Sequence, residues 1–368
     1  MPHGPASVRD PLVSVVCTAY NRGAAIRRTL RSVLDQSVRE LELLVVSDGS
    51  TDDTHEHVEA MAAEDPRLRL IVLEHSGIAS RAINAGVADS RGRHVAYIDH
   101  DDLWAPHHLE VAVRELELGA DLVATAAIWE RETGEVISVR PPAGLFWHPD
   151  VQVLHPVFEN SQAVHRAEWA DRAGPWAEAR HGLEDWDMWL RMSDAGARVS
   201  TVQTHTVHKV MGRSNRYLTI PRAHTTELVR CPDGFAARAA LRAMLAPEAA
   251  AELERLAFAD TTRWYTELAA DEAFVFPRGF ADSRAEAIAA VPAAVRESRE
   301  ADRGIEDPVS IRIVRHADHA TVVRDLECVT AEHARRYDEV LRRALPGYFS
   351  RLAELMAPFS TAPTPAGA

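Results

Sequence analysis

The sequence is nearly devoid of lysine, poor in cysteine and without any long apolar run. Lys209 is the one lysine among 41 basic residues. Together with the abundance of alanine this looks like the codon bias of a GC-rich genome, and by itself it assigns Lys209 no function. Three cysteines, Cys17, Cys231 and Cys328, are too few and too scattered for a disulfide framework or a thiolate zinc site. They are expected to be free thiols in a reducing compartment. No apolar stretch approaches the roughly 20 residues that cross a bilayer, so no membrane span is expected. Residues 1–10 have neither the basic start nor the apolar core of a secretory signal, which makes the cytoplasm the expected location. A formal charge of −14 excludes a non-specific nucleic-acid binder, because that affinity rests mostly on phosphate neutralisation by Lys and Arg.

What is present is ordinary globular composition, 46% hydrophobic and 26% charged over 368 residues, enough for two domains. The first hundred residues alternate β-branched apolar runs (13–17, 41–46, 68–73, 94–98) with segments of helical period (24–34, 51–63, 79–88). That is the pattern of βαβ units and a largely parallel sheet. A helix is expected from Pro106 to Leu118 and a strand around 121–128. Residues 133–156, with Gly134, Pro141, Pro142 and Pro149, read as irregular; a helix resumes at Glu184, and 199–211 reads as one or two strands. Beyond Pro221 an Ala-, Glu- and Arg-rich helical periodicity takes over. The expected organisation is a disordered start (1–10), an α/β domain (11–221), a mainly helical domain (222–359) and a disordered tail (360–368).

Ligands of open α/β sheets bind at the carboxyl ends of strands, and four such ends are rich in polar groups here. Asp99-His100-Asp101-Asp102 packs three carboxylates into four residues. Such a cluster calls for a cation, and hard Mg²⁺ or Mn²⁺ with a diphosphate fits oxygen ligands; a solvated helix-capping loop is the alternative. Asp48 ends the second strand, where it can accept from a nucleobase imide or a ribose hydroxyl, while Asp52 and Asp53 suit helix capping. Tyr20 offers a stacking face unless it packs in the core, and Thr18 and Asn21 offer hydrogen bonds. Arg81, past His75-Ser76-Gly77, is placed to meet phosphate or base oxygens. Glu184 and Asp185 open a helix with an apolar flank, a setting suited to general-base work, although N-terminal dipole complementation explains Glu184 or Asp187 equally. His205 and His208 alternate faces on a strand, so at most one enters the site; His208 is the candidate metal ligand or phosphate contact, with a structural role as the alternative.

Five of these segments (13–21, 47–53, 76–86, 97–104 and 182–191) occur in an order and spacing that resembles family 2 glycosyltransferases of the GT-A fold. The resemblance covers roughly the first 215 residues. It implies a Rossmann-like, mixed but mainly parallel sheet flanked by helices and a nucleoside-diphosphate-sugar donor, most simply a UDP-sugar. Thr18, Tyr20, Asn21, Asp48, Arg81 and His100 would hold the nucleotide. Asp99 and Asp101 would be the Asp-X-Asp pair, with Asp101 on the metal and Asp99 nearer the ribose. Asp185, with Glu184 beside it, would be the base of an inverting transfer. Two departures stand out. A histidine common after the last strand in relatives is absent near Met211-Gly212-Arg213, unless His205 or His208 replaces it. The Gln-X-X-Arg-Trp motif of membrane-bound polymerising relatives is missing too, which favours a single transfer to a soluble acceptor.

Other activities fit less well. A nucleotidyltransferase needs a Gly-rich basic loop that residues 19–24 lack, and a dinucleotide-dependent oxidoreductase needs Gly-X-Gly-X-X-Gly where Thr-Ala-Tyr-Asn-Arg-Gly stands. A non-catalytic sugar-nucleotide-binding module would not require Asp185. No motif in the helical part chooses between acceptor recognition and homodimerisation.

Overall fold

The computed structural model describes residues 10–178, 182–211, 224–302 and 311–361. Residues 1–9 and 362–368, expected to be disordered, lie outside the described residues, as does the domain boundary expected between 221 and 222.

The described residues fall into two compact units. The first takes the described residues within Met1–Gln152, Pro156–Leu218 and Val275–Asp282. Its chain runs β1 (Val13–Ala19), α1 (Ile26–Leu34), β2 (Leu41–Ser47), α2 (Thr54–Glu64), β3 (Leu68–Val72), α3 (Ala79–Ala88), β4 (His94–Asp99), β5 (Leu103–Trp104), α4 (His108–Glu117), β6 (Leu122–Arg131) and β7 (Val136–Val139). It continues through α5 (Pro149–Leu154), β8 (Ala163–Arg166), α6 (Glu168–Ala173), α7 (Glu184–Asp194) and β9 (Val199–Met211). These strands form one mixed sheet in the order β3-β2-β1-β4-β8-β6-β9-β5, with β7 on β6. The pairs β1–β2, β2–β3, β1–β4 and β6–β9 are parallel, so the expected mixed sheet flanked by helices is the one found.

Strands β1 and β2 are buried over almost their whole length, as strands covered on both faces must be, which is why they read as unbroken Val/Leu runs. Helix α3 approaches β1 closely at Gly86, where a Cβ would lie 2.5 Å from the Val16 side chain. Residues 199–211 form one strand of 13 residues. The irregular stretch after Thr133 contains β7, a 3₁₀ turn at Pro142–Leu145 and α5. Residues Val275–Asp282, read from sequence as part of the helical region, group with this sheet. Val275 pairs with Trp147, Arg278 bridges to Val202, and Phe276 and Phe280 meet Phe146 edge-on at 5.4 and 5.1 Å.

The second unit holds helices α8 (Gly234–Met244), α9 (Pro247–Leu268), α10 (Arg284–Asp302), α11 (Ala331–Ala344) and α12 (Pro346–Met356). Pro346 ends one helix and starts the next, because it has no amide to donate to the preceding turn. The sequence did not announce its three-stranded antiparallel sheet, in which β10 (His224–Cys231) pairs β12 (Ala320–Leu326) and β12 pairs β11 (Ile311–Arg315). These strands are short, and flanking helical periodicity masks them. Val229, Cys231 and Val322 pack there with Ala237, Ala240, Leu352 and Met356. Among the described residues no helix is long and apolar enough to cross a membrane.

Candidate active site

In the order β3-β2-β1-β4 the chain moves outward from β1 in one direction and then returns to its other side, so β1 and β4 flank a topological switch point, the usual mouth of an α/β site. Thr18 and Asp99 are register partners at the carboxyl ends of these strands. The loop after β1 is then tied to the loop after β2. The Asn21 amide donates to Ser50 Oγ, the Thr51 amide donates to Asn21 Oδ1, and the Arg22 and Gly23 amides both reach Thr54 Oγ1 at 2.8 Å. Asn21 adopts φ of 48°, a left-handed conformation that Asn tolerates better than most residues. Asn21 therefore works largely as a loop tie.

Asp48 organises the adjoining loop. Its Oδ1 accepts from the Ser76 amide and hydroxyl, both at 2.9 Å, and its Oδ2 from the Gly77 amide at 2.8 Å. Burial alone would raise its pKa, but these donors and His75 hold the carboxyl below the usual range. Gly49 permits the arrangement: its φ is 68°, and a Cβ there would lie 2.7 Å from the His75 amide nitrogen. His75 stacks on Tyr20 with centroids 4.3 Å apart, and Tyr20 is 41% exposed. Tyr20 is thus an accessible aromatic face rather than a core residue. Arg81 is exposed in the first turn of α3.

The acidic loop is already partly neutralised. Arg22 donates to Asp101 Oδ2 at 2.7 Å. Lys209, on β9, puts its ammonium 3.0 Å from Asp99, 2.6 Å from Asp102 and 3.0 Å from Glu159. Asp102 is buried, accepts from Ser161 Oγ at 2.6 Å and from the Val210 amide at 3.2 Å, and has its carboxyl pushed up to about 7 by burial despite Lys209. His100 Nδ1 faces the Thr18 carbonyl at 2.9 Å. A carbonyl can only accept, so Nδ1 carries the proton, and burial, which lowers this pKa, leaves Nε2 as a lone pair. That nitrogen lies 3.9 Å from Asp101. His208 does not join this group: it faces Glu130 at 3.1 Å, on the opposite side of the strand from Lys209. His205 bonds the Arg140 carbonyl.

Helix α7 brings Asp185 to the same cluster. Trp189 of α7 packs on Trp176, on Phe158 and on Tyr97, which lies two residues before Asp99 on β4, and Trp186 Nε1 donates to the Gln152 carbonyl at 2.6 Å. This aromatic anchoring fixes the helix start. Glu184 is buried and Asp185 partly covered. Burial, followed by the charges of Glu184, Glu159 and Asp99, pushes the Asp185 carboxyl up to about 8. A carboxyl in that range can take up a proton near neutral pH, as a general base must.

The structure therefore brings Thr18, Asn21, Tyr20, Asp48, Asp99, His100, Asp101, Glu184 and Asp185 to one end of the sheet, together with three residues that sequence reasoning passed over. Arg22 was lost among forty arginines and Glu159 lay in an irregular stretch. Lys209 did carry a signal, its uniqueness, which had been ascribed to codon bias.

The model of the glycosyl transferase family 2 matches residues 14–154. The chain carries a family 2 glycosyltransferase domain. Chondroitin synthase of Pasteurella multocida is 38% identical over 107 residues, 29% of this chain and 11% of that protein. The putative teichuronic acid biosynthesis glycosyltransferase TuaG of Bacillus subtilis is 39% identical over 100 residues, 27% of this chain and 40% of its own. The chain thus spans less than half the length of either relative. The crystal structure of S. aureus TarS 1–349 in complex with UDP-GlcNAc aligns over 92% of this chain and 83% of its own, at 16% identity and a TM-score of 0.48, too loose a match to carry a functional inference.

Family 2 resemblance implies a divalent cation, and the donor set can be tested against it. Among the described residues, Asp99, Asp101, Asp102, Glu159, Glu184 and Asp185 outnumber the cations paired with them, Arg22 and Lys209. The side chains of Asp99 and Asp101 are 40% and 39% exposed. Exposed carboxylate oxygens in a region of surplus negative charge suit a hard cation. Among the described residues no three His, Cys, Asp or Glu side chains converge as a ready-made cage, so substrate oxygens would have to complete the coordination.

Proposed function

We propose that this chain transfers a sugar from a nucleoside-diphosphate sugar, most simply a UDP-sugar, to a hydroxyl of a soluble acceptor, with inversion at the anomeric carbon. The observation that carries the reading is the Asp185 carboxyl, raised to about 8 by burial and by the charges of Glu184, Glu159 and Asp99, in the same compact unit as residues 14–154, which match the glycosyltransferase family. The base would stack against the Tyr20–His75 pair, with Thr18, Asn21 and Arg81 at its edges. Asp48 shapes that loop, and a nucleobase imide would have to displace the His75 contact to reach it. Asp101 and Asp99 would hold Mn²⁺ or Mg²⁺ together with diphosphate oxygens, and the ion would offset charge on the leaving diphosphate; His100 would face the nucleotide. Asp185 takes the acceptor proton as the hydroxyl oxygen attacks opposite the departing phosphate, and Glu184 keeps that carboxyl basic by its charge. One transfer per encounter, a cytoplasmic setting for the three unpaired cysteines and a homodimer through the helices of the second unit complete the proposal.

The direct test is a binding and turnover screen of UDP-, GDP- and dTDP-sugars with and without Mn²⁺. Release of a nucleoside diphosphate that depends on acceptor, on Mn²⁺ and on Asp101 is expected. A chain that binds no sugar nucleotide, or an Asp101→Ala variant with unchanged turnover, contradicts the reading.

A further inference from the structure

In a chain that uses arginine at forty of its 41 basic positions, the single lysine stands among the carboxylates of the site. Its surroundings explain why arginine would not serve. Three carboxylates, from the turn after β4 (Asp99, Asp102) and from Glu159, converge on one ammonium at 2.6 to 3.0 Å. The lysine side chain is 10% exposed and that of Asp102 3%. An ammonium is a compact point charge with three donors, one for each carboxylate. A guanidinium is a rigid planar fork whose donors all lie in one plane, and it needs more room. Codon bias would remove this lysine; its retention has a geometric reason.

We infer that Lys209 is a tethered cation that fills the deep half of the acidic cluster, so that a free divalent ion is confined to the Asp99–Asp101 rim. Removing the ammonium would leave Asp99, Asp102 and Glu159 facing one vacated position, and three carboxylates are a stronger cation site than the rim. A metal drawn there sits away from the outward oxygens of Asp99 and Asp101, where the diphosphate would meet it. Lys209 is in this sense a positioning residue: it decides where positive charge may settle. The inference rests on the proposed metal-assisted transfer for its meaning, but its first test needs no substrate.

Mn²⁺ binding to the full chain, read by the loss of the free-ion electron paramagnetic resonance signal without any nucleotide, should tighten about tenfold in Lys209→Met. Adding Glu159→Gln to that variant should reverse the gain. Binding that is unchanged or weaker in Lys209→Met overturns the inference. Should Lys209→Met fail to fold, Lys209→Gln, which keeps polar donors toward the three carboxylates and removes the charge, is read in the same way. In turnover, Lys209→Arg should lose about 10²-fold in kcat, while the donor KM stays within about threefold; wild-type kcat in Lys209→Arg overturns the inference too. A wild type that turns over no sugar nucleotide contradicts the proposed transfer alone, since the Mn²⁺ measurement still decides the role of Lys209.

Discussion

Asp48 and Asp185 are both aspartates at the carboxyl end of one sheet, and their environments drive them in opposite directions. Asp48 ends β2 in a loop whose backbone amides point at it, so it stays ionised and below its ordinary pKa. Asp185 opens α7 close to other carboxylates, and burial together with their charges raises its pKa to about 8. One side of the site is thus built from hydrogen-bonded loops that present fixed groups, the other from buried charge that changes its protonation state. Environment rather than residue type divides the labour of binding and proton transfer.

The hardest test of this division is Asp185→Asn. Removal of a general base costs about 10² to 10⁴ in kcat, and the donor KM should move little because the nucleotide loops are untouched. Stability should change the other way. A carboxyl whose folded pKa lies above its unfolded value penalises the folded state once pH exceeds the unfolded value, and the penalty grows up to the folded one. Asp185→Asn should therefore melt at a higher temperature than the wild type, with the gain increasing from about pH 4 to about pH 8. A variant that keeps wild-type kcat, or one whose melting temperature falls at pH 8, would break the comparison.

The pH profile gives a smaller effect on the same side. With Asp185 at about 8, about a tenth of the free enzyme carries the ionised base at pH 7, so kcat/KM should climb with pH and level off above 8. Glu159→Gln removes one of the like charges that raise this carboxyl, and the acid limb should move to lower pH. An acid limb that ignores Glu159 would mean that the activity reports another group.

The two sides also differed in how far the sequence revealed them. Strands β1 to β4 could be read because covered parallel strands are continuous apolar runs and their polar residues come directly after them. Thr18, Asp48 and the run from Asp99 to Asp102 are local signals of that kind. Glu159 and Lys209 were hidden because their meaning is purely tertiary. They lie 50 residues apart, Glu159 at the entry of a 3₁₀ turn (Asn160–Gln162) and Lys209 on β9, and only the folding of β9 beside β6 brings the ammonium to the carboxylates. Likewise His208 and Lys209 are neighbours in sequence on opposite faces of β9, and the choice between those faces depends on a register that residue types alone did not supply.

The smallest predicted effect, at Asp48, separates a binding group from a structural one. Asp48→Asn keeps the shape but replaces one acceptor oxygen with an amide donor that faces the Ser76 or Gly77 N–H, so a loop hydrogen bond becomes a repulsive donor pair. Losing one such bond to a charged acceptor costs about 1.5 to 3 kcal/mol, and the cost should fall on the geometry of the His75 loop. The nucleotide KM should then rise about tenfold, with kcat at saturating donor close to wild type and the acid limb of the profile in place. His75→Ala, which removes the ring stacked on Tyr20 and leaves the Asp48 carboxylate with its amide donors, should give a KM increase of the same order. If Asp48→Asn instead lowers kcat with an unchanged KM, Asp48 takes part in the chemistry, and the separation between a fixed nucleotide side and a titrating acceptor side fails.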